Sequence, residues 1–216
     1  MISRIRESLT RRGVRGSVAR VVSLFREGRS AGDFIVIYRD LASADFPAAG
    51  TLRIEVMRDA HLADIAGLNR SRGEPDADRY FADSLRNGIH GFVAYDGERL
   101  VGYAQWVAGD HQHPDFWCMG PFFRLRPGDA YLAGFYLLPD LRGRGAGSDF
   151  LARFEAAMRA NGFRRICAFV ESPNEPARKL YDRHGWFPTW TVRYVRLVIL
   201  RQRRVTPPPP LRPGSV

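Results

Sequence analysis

Between residues 142 and 147 the chain reads Arg142-Gly143-Arg144-Gly145-Ala146-Gly147, three glycines and two arginines in six positions. Beyond them Gly147, Phe150, Leu151, Phe154 and Met158 recur at helical spacing, so the glycines fall at the first turn of a helix. Such a turn leaves its backbone N–H groups unpaired and carries the positive end of the helix dipole, and glycine removes the side chains that would hold an anion away. The chemistry this supports is a grip on phosphate, with Arg142 and Arg144 adding charge. No Gly-Lys-Ser/Thr closes the segment, which excludes a nucleoside-triphosphate loop. The spacing is also wrong for a dinucleotide fingerprint, and the next apolar stretch, Ile166–Val170, contains no acid to bind a ribose.

Other residues able to move protons or bond covalently are scattered. His111, His113 and Asp115 lie in an irregular stretch, and histidine titrates where a general base must. Glu171 follows Ile166–Val170 directly. Cys118 and Cys167 are too few for a disulfide framework, and no Cys/His cluster has zinc spacing, so reduced thiols and no metal are expected. Cys167 sits in an apolar run without a base partner, which makes a covalent cysteine step a poor reading. Phe116, Trp117, Phe122 and Phe123 form either an apolar wall for a substrate or part of the core.

The elements that must position these groups are readable from period and punctuation. Leu52–Met57 alternates as a half-buried strand, and two helical stretches, Asp59–Leu68 and Asp76–Leu85, follow. Gly91–Tyr95 and Leu100–Val107 flank Asp96-Gly97, a hairpin signal. Ala130–Leu138 is almost continuously apolar, as a strand buried on both faces must be, and is the expected central strand. Asn161-Gly162 ends the helix behind the glycine cluster, Ile166–Val170 is a short buried strand, and Pro176 opens a helix that Gly185 stops. Val192–Leu200 reads as a last strand; Phe34–Tyr38 is either a short strand or the end of an N-terminal arm.

With 216 residues, 45% hydrophobic and 26% charged, the chain suits one soluble domain with extensions. No apolar run approaches the roughly 20 residues of a spanning helix, and the Arg-studded start has no apolar core of a secretory signal, so a cytoplasmic protein is expected. The formal charge of +10 belongs to the termini: eight Arg against Glu7 and Glu27 in Met1–Arg29, and six Arg with no acid from Arg193 onward. Apolar residues Ile2, Ile5, Leu9, Val14, Val18, Val21, Val22 and Phe25 make one stripe, which either packs on the domain or a second subunit, or lies on an anionic membrane or acidic protein. No nucleic-acid motif accompanies the arginines, so no nucleic-acid partner is expected. Three regions follow: a basic arm and linker over 1–50, a globular domain over 51–200, and a Pro/Arg-rich extended tail over 201–216.

The Arg142, Gly145 and Gly147 spacing resembles the Arg/Gln-x-x-Gly-x-Gly/Ala signature of the GNAT superfamily of N-acyltransferases. Phe135-Tyr136-Leu137-Leu138-Pro139 is similar to that family's central strand, and Val170–Trp186, with Asn174, Ala177, Leu180, Tyr181 and Gly185, resembles its Val…Asn…Ala…Leu-Tyr…Gly-Phe block. The resemblance covers about Leu52 to Leu200. It implies an α/β fold of mixed α+β character, a mostly antiparallel mixed sheet with a splayed parallel strand pair, flanked by helices. It also implies an acyl-coenzyme A, acetyl-CoA first, as co-substrate. The pyrophosphate would rest on Arg142, Gly143, Arg144, Gly145, Ala146 and Gly147, and the pantetheine would run between Ala130–Leu138 and Ile166–Val170. A backbone N–H near Leu137 or Leu138 would hold the oxyanion, and Tyr181 would protonate the departing thiolate while an amine attacks directly. Asn174 would either bond the pantetheine or cap its helix. No strand carboxylate is available as base. Two alternatives stay open: an acyl-carrier-protein-dependent enzyme of the same fold, and a non-catalytic acyl-CoA sensor or scaffold.

Overall fold

The computed structural model describes residues 30–42, 50–71, 73, 77–108, 125–197 and 200–206. The stripe of the N-terminal arm, the histidine-rich and aromatic stretch around 109–124, Cys118 included, and the end of the tail from 207 lie outside them.

Eight strands form one sheet: β1 (Ser30–Asp40), β2 (Arg53–Val56), β3 (His90–Asp96), β4 (Arg99–Ala108), β5 (Asp129–Leu137), β6 (Arg165–Glu171), β7 (Phe187–Leu197) and β8 (Leu200–Thr206), in the order β2-β3-β4-β5-β6-β1-β7-β8. Among the described residues four α-helices accompany them: α1 (Leu62–Ser71), α2 (Ala77–Arg86), α3 (Ala146–Ala160) and α4 (Glu175–Arg183). No helix among the described residues is long and apolar enough to cross a membrane. Every strand pairing is antiparallel except β5 with β6, which gives the mixed sheet and the fold class expected. The hairpin at Asp96-Gly97 joins β3 to β4, and β5 is the buried central strand.

Phe34–Tyr38 proves to be part of an eleven-residue strand, not the end of an arm. It pairs with β6 on one side and β7 on the other, so the sheet starts upstream of the linker, and the boundary drawn at residue 50 cuts the sheet in two. The reason is burial: Val36 is fully buried in a cluster with Ile89, Val107, Tyr131, Cys167 and Val192, contributed by five other segments. At the other end, β8 extends the order past 200 into the segment expected to be tail, through pairs from Leu197↔Leu200 to Thr191↔Thr206.

Helix α3 is fastened to the sheet by Phe150, Leu151, Phe154 and Met158, all fully buried. Phe150 meets Phe135 of β5 at 4.9 Å between ring centres, and Phe154 meets Phe92 of β3 at 6.0 Å. Each such ring contributes roughly 1.5–3 kcal/mol of burial. Together they hold the first turn of α3 rigidly at the end of β5.

Among the described residues three phenols have their pKa raised above the usual value near 10. Tyr95 is pushed up to about 12 by burial and by its hydrogen bond to Asp64 Oδ2 at 3.0 Å; Tyr38 is raised by burial and the nearby Cys167, and Tyr181 by burial and Glu155. A phenol with a raised folded-state pKa favours the fold while protonated. Its contribution is complete below the unfolded value of about 10 and is lost as pH rises through the folded one. The urea midpoint should therefore hold steady to about pH 9 and fall steeply above about pH 10, less steeply in Tyr95→Phe; a midpoint unchanged at pH 11 contradicts this.

Candidate active site

Strands β5 and β6 pair over four positions, Asp129↔Arg165, Ala130↔Ile166, Tyr131↔Cys167 and Leu132↔Ala168, and then part, although β5 continues to Leu137 and β6 to Glu171. Two features open this gap. At the closed end Arg165 grips Asp129 with two hydrogen bonds, 3.2 Å from Nε to Oδ1 and 2.6 Å from Nη2 to Oδ2. At the opening, the β4–β5 register shifts between Gln105 and Trp106, leaving Ala133 without an opposite residue. A bulge of this kind bends and twists its strand, and it falls where the pairing with β6 ends. Beyond it residues 133–137 of β5 and 169–171 of β6 are not paired with each other.

The gap leads to the glycine cluster. After a single 3-10 turn, Pro139–Leu141, the chain passes through Gly143 at φ 75° and Gly145 at φ 85° before entering α3. Only glycine takes that left-handed conformation without strain, and the Cβ position at each opens onto empty space. Gly145 is the N-cap and offers no side-chain acceptor, so the amides from Gly143 to Ser148 have no partner among the described residues. That is a concentration of oriented donors open to solvent, the arrangement that suits an anion. Arg142 folds back, its Nε donating to the Leu137 carbonyl at 3.0 Å while the guanidinium lies over the Tyr136 ring at 5.5 Å, so it braces the turn and supplies charge from the side. Arg144 is exposed and makes no hydrogen bond to a described residue. Gly147 keeps the turn close to its neighbours, with Leu137 and Leu180 3.7 and 3.8 Å from its Cβ position.

Tyr181 of α4 is buried to 7% exposure, its ring 4.8 Å from that of Trp186, and its hydroxyl donates to no described residue. Burial and the Glu155 carboxylate raise its pKa, so it stays protonated across the neutral range. Asn174 caps α4: its Oδ1 accepts from the Ala177 amide at 3.2 Å, which commits that oxygen to the helix. Leu138, buried at 8%, spends its amide on the Val101 carbonyl at 2.8 Å, so of the two positions expected to supply an oxyanion donor this one is already paired. Leu137 is buried beside it, its carbonyl held by Arg142. Glu171 stands exposed at the open mouth of the gap, paired in register with Phe34. Cys167 is buried at 1% and its thiol pushed well above the usual range by that burial, which leaves it unreactive.

A polar cluster that sequence patterning missed ties α3, α4 and β1 together. Glu155 is 1% exposed on the apolar stripe of α3, four residues after Leu151. It accepts from Trp186 Nε1 at 2.5 Å and sits 3.5 Å from His184 Nδ1 and 3.8 Å from Arg39 Nε, which has no hydrogen-bond partner of its own. The other nitrogen of His184 meets Ser148 Oγ at 2.7 Å. An acid four positions from a core leucine was the one signal available, but it gives no hint of the partners. Replacing Glu155 by leucine strands the partly buried Arg39 guanidinium and an indole N–H, and should cost about 3 kcal/mol in urea denaturation, against about 1 kcal/mol for Trp186→Phe. Equal small losses would show the cluster to be idle.

Comparison with known proteins places this geometry. Residues 50–186 match the model of the Acetyltransferase (GNAT) family. Over 90 residues the chain is 29% identical to "Uncharacterized N-acetyltransferase YycN" of Bacillus subtilis (strain 168), covering 42% of this chain and 49% of that one. The chain thus spans about half the length of the curated relative it matches. Among solved structures it is similar to the GCN5-related glucosamine N-acetyltransferase region of a fungal multi-domain GH3 β-N-acetylglucosaminidase, at TM-score 0.57 and 14% identity over 82% of this chain and 22% of that one. It is also similar to a tandem GNAT protein from the clavulanic acid biosynthesis pathway, at TM-score 0.53 and 17% identity over 78% and 53%. At such identities the structures speak for the fold, and the family match speaks for descent. With more than half its length under the family model and the signature glycines standing at the mouth of a splayed strand pair, the chain belongs to the acetyltransferase (GNAT) family.

Proposed function

We propose that this protein is an N-acyltransferase that takes an acyl group, in the simplest case acetyl, from coenzyme A and passes it to a primary amine by direct attack. The observation that carries this reading is the continuity between the unpaired edges of β5 and β6 and the unpartnered amides of Gly143–Ser148. A pantetheine amide chain fits the first and a pyrophosphate the second. Bound there, the thioester supplies an activated carbonyl and a good leaving group. The chain's residues do the rest. The turn at 143–148 holds the diphosphate with backbone donors and the helix dipole, with Arg142 and Arg144 nearby. The strand edges fix the thioester's register, so that amine and carbonyl meet in one orientation. As the amine nitrogen bonds to the carbonyl carbon and the carbon–sulfur bond breaks, Tyr181 gives its hydroxyl proton to the sulfur. The proton lost by the amine passes to water at the open mouth near Glu171, and an equivalent proton returns from water to the Tyr181 oxygen, restoring the acid. Asn174 keeps α4, and with it Tyr181, at the correct distance by capping the helix.

Isothermal titration with acetyl-CoA should show saturable one-to-one binding, and a broad amine panel should release free thiol at a rate that depends on the amine. Binding without thiol release on any amine would favour a sensor. Transfer only from an acylated carrier protein would favour the carrier-dependent enzyme.

A further inference from the structure

Gln105 lies in the middle of β4 with 2% exposure, and its Nε2 has no hydrogen-bond partner among the described residues. A buried amide donor left open costs roughly 1–3 kcal/mol, and folded proteins rarely tolerate it without a use. Its position is specific. Gln105 is paired with Gly134 of β5, the first residue after the bulge at Ala133 and two beyond Leu132, where pairing with β6 ends. The carboxamide lies over that glycine, its Oε1 3.6 Å from where a Cβ would stand, with the Tyr103 ring 3.7 Å from the same point. Any side chain longer than a methyl at 134 would displace the carboxamide from β5. Tyr103, two residues before Gln105 on the same face, stacks on Tyr136 at 5.7 Å and 26°, and Phe81 of α2 closes on Tyr103 edge to face at 4.8 Å.

A thioester donor lying between β5 and β6 runs in the plane of the sheet and satisfies strand edges. Gln105 instead lies over β5 on the face that carries Tyr103 and Tyr136, off the plane the donor would occupy, which in the reaction proposed above is left to the amine. An unpaired N–H needs a lone pair, which an ammonium lacks and which the attacking amine nitrogen commits to the carbonyl carbon. An oxygen elsewhere on the acceptor supplies one.

We infer that Gln105 is a specificity-determining residue for the acceptor, and that the acceptor class is an amine carrying an oxygen acceptor (hydroxyl, ether or carbonyl) within a few bonds of its nitrogen. The oxygen takes the Gln105 Nε2 hydrogen, the carbon skeleton lies against Tyr103 and Tyr136, and the nitrogen is directed toward the gap. This rests on the acyltransferase reading. A site built around such a bond discriminates against the analogue that cannot make it.

The test uses the full chain with matched amines, alkylamines and the same chains with one methylene replaced by an ether oxygen, which accepts but cannot donate. The wild type should favour the ether member in kcat/KM by about tenfold or more. Gln105→Met should erase that preference, leave the KM for acetyl-CoA unchanged, and leave the thermal midpoint of the free protein equal or higher, because a buried unpaired amide has been replaced by an apolar chain of similar size. Turnover by the wild type without an ether preference, or a preference that survives in Gln105→Met, overturns the inference alone. Absence of thiol release with every amine overturns the acyltransferase reading and this inference with it.

Discussion

Replacing Gly145 by aspartate should weaken acetyl-CoA binding by about 100-fold or more, roughly 2.7 kcal/mol. Two effects act at this residue and they separate by measurement. Gly145 sits at φ 85°, where any other residue strains the backbone by about 1–2 kcal/mol. That strain falls on the folded protein with or without ligand, so it lowers the thermal midpoint more than the affinity. The carboxylate is a different matter. The Cβ position opens onto empty space at the head of α3, beside the unpaired amides of 143–148, so the new charge would stand against a diphosphate bound as proposed. Two unit charges about 5 Å apart repel by roughly 3 kcal/mol at an effective dielectric near 20. Gly145→Ala carries the strain without the charge and should lose stability while retaining most of its affinity. Raising salt from about 0.1 to 1 M should recover part of the loss in the aspartate variant and little in the alanine one. Wild-type affinity in Gly145→Asp, measured by titration calorimetry, would falsify the cradle.

Tyr181→Phe should lower kcat by roughly 100- to 1000-fold, the range a positioned general acid contributes. Phenylalanine preserves the ring packed on Trp186, and the hydroxyl it removes bonds to no described residue, so the fold and acetyl-CoA binding should be nearly unchanged. The pH profile gives a second check. Burial and Glu155 hold the phenol protonated above its ordinary value, so the wild-type rate should show no alkaline decline attributable to this group up to about pH 10. A substrate with an acidic thiol leaving group, which needs little protonation, should suffer far less from the substitution than acetyl-CoA. If the phenylalanine variant turns over at the wild-type rate, Tyr181 only packs, and sulfur takes its proton from water.

Much of this protein was legible because it is local. Helix α3 follows from a 3.6-residue stripe, the β3–β4 hairpin from Asp96-Gly97, and the glycine turn from the conformations that only glycine adopts at 143 and 145. These depend on neighbours a few residues away. The resemblance of the 142–147 and 170–186 blocks to a known family carried the splayed pair as well, since those spacings occur where such a sheet must be built.

What folding decided involves residues that are distant along the chain. Asn174 had two equal roles on paper, and the Ala177 amide at 3.2 Å settles its oxygen as a cap. Leu138 was a possible oxyanion donor until β4 took its amide. Strand β1 read as a fragment because nothing between 30 and 40 names β6 and β7 as its partners; only the shared burial of Val36 with Cys167 and Val192 selects that place. The Glu155–His184–Ser148 cluster and the open amide of Gln105 belong to the same class. Periodicity assigns a residue to a face, but hydrogen bonds between faces are set by the register of separate strands and the docking of separate helices, and these are fixed only when the whole core closes.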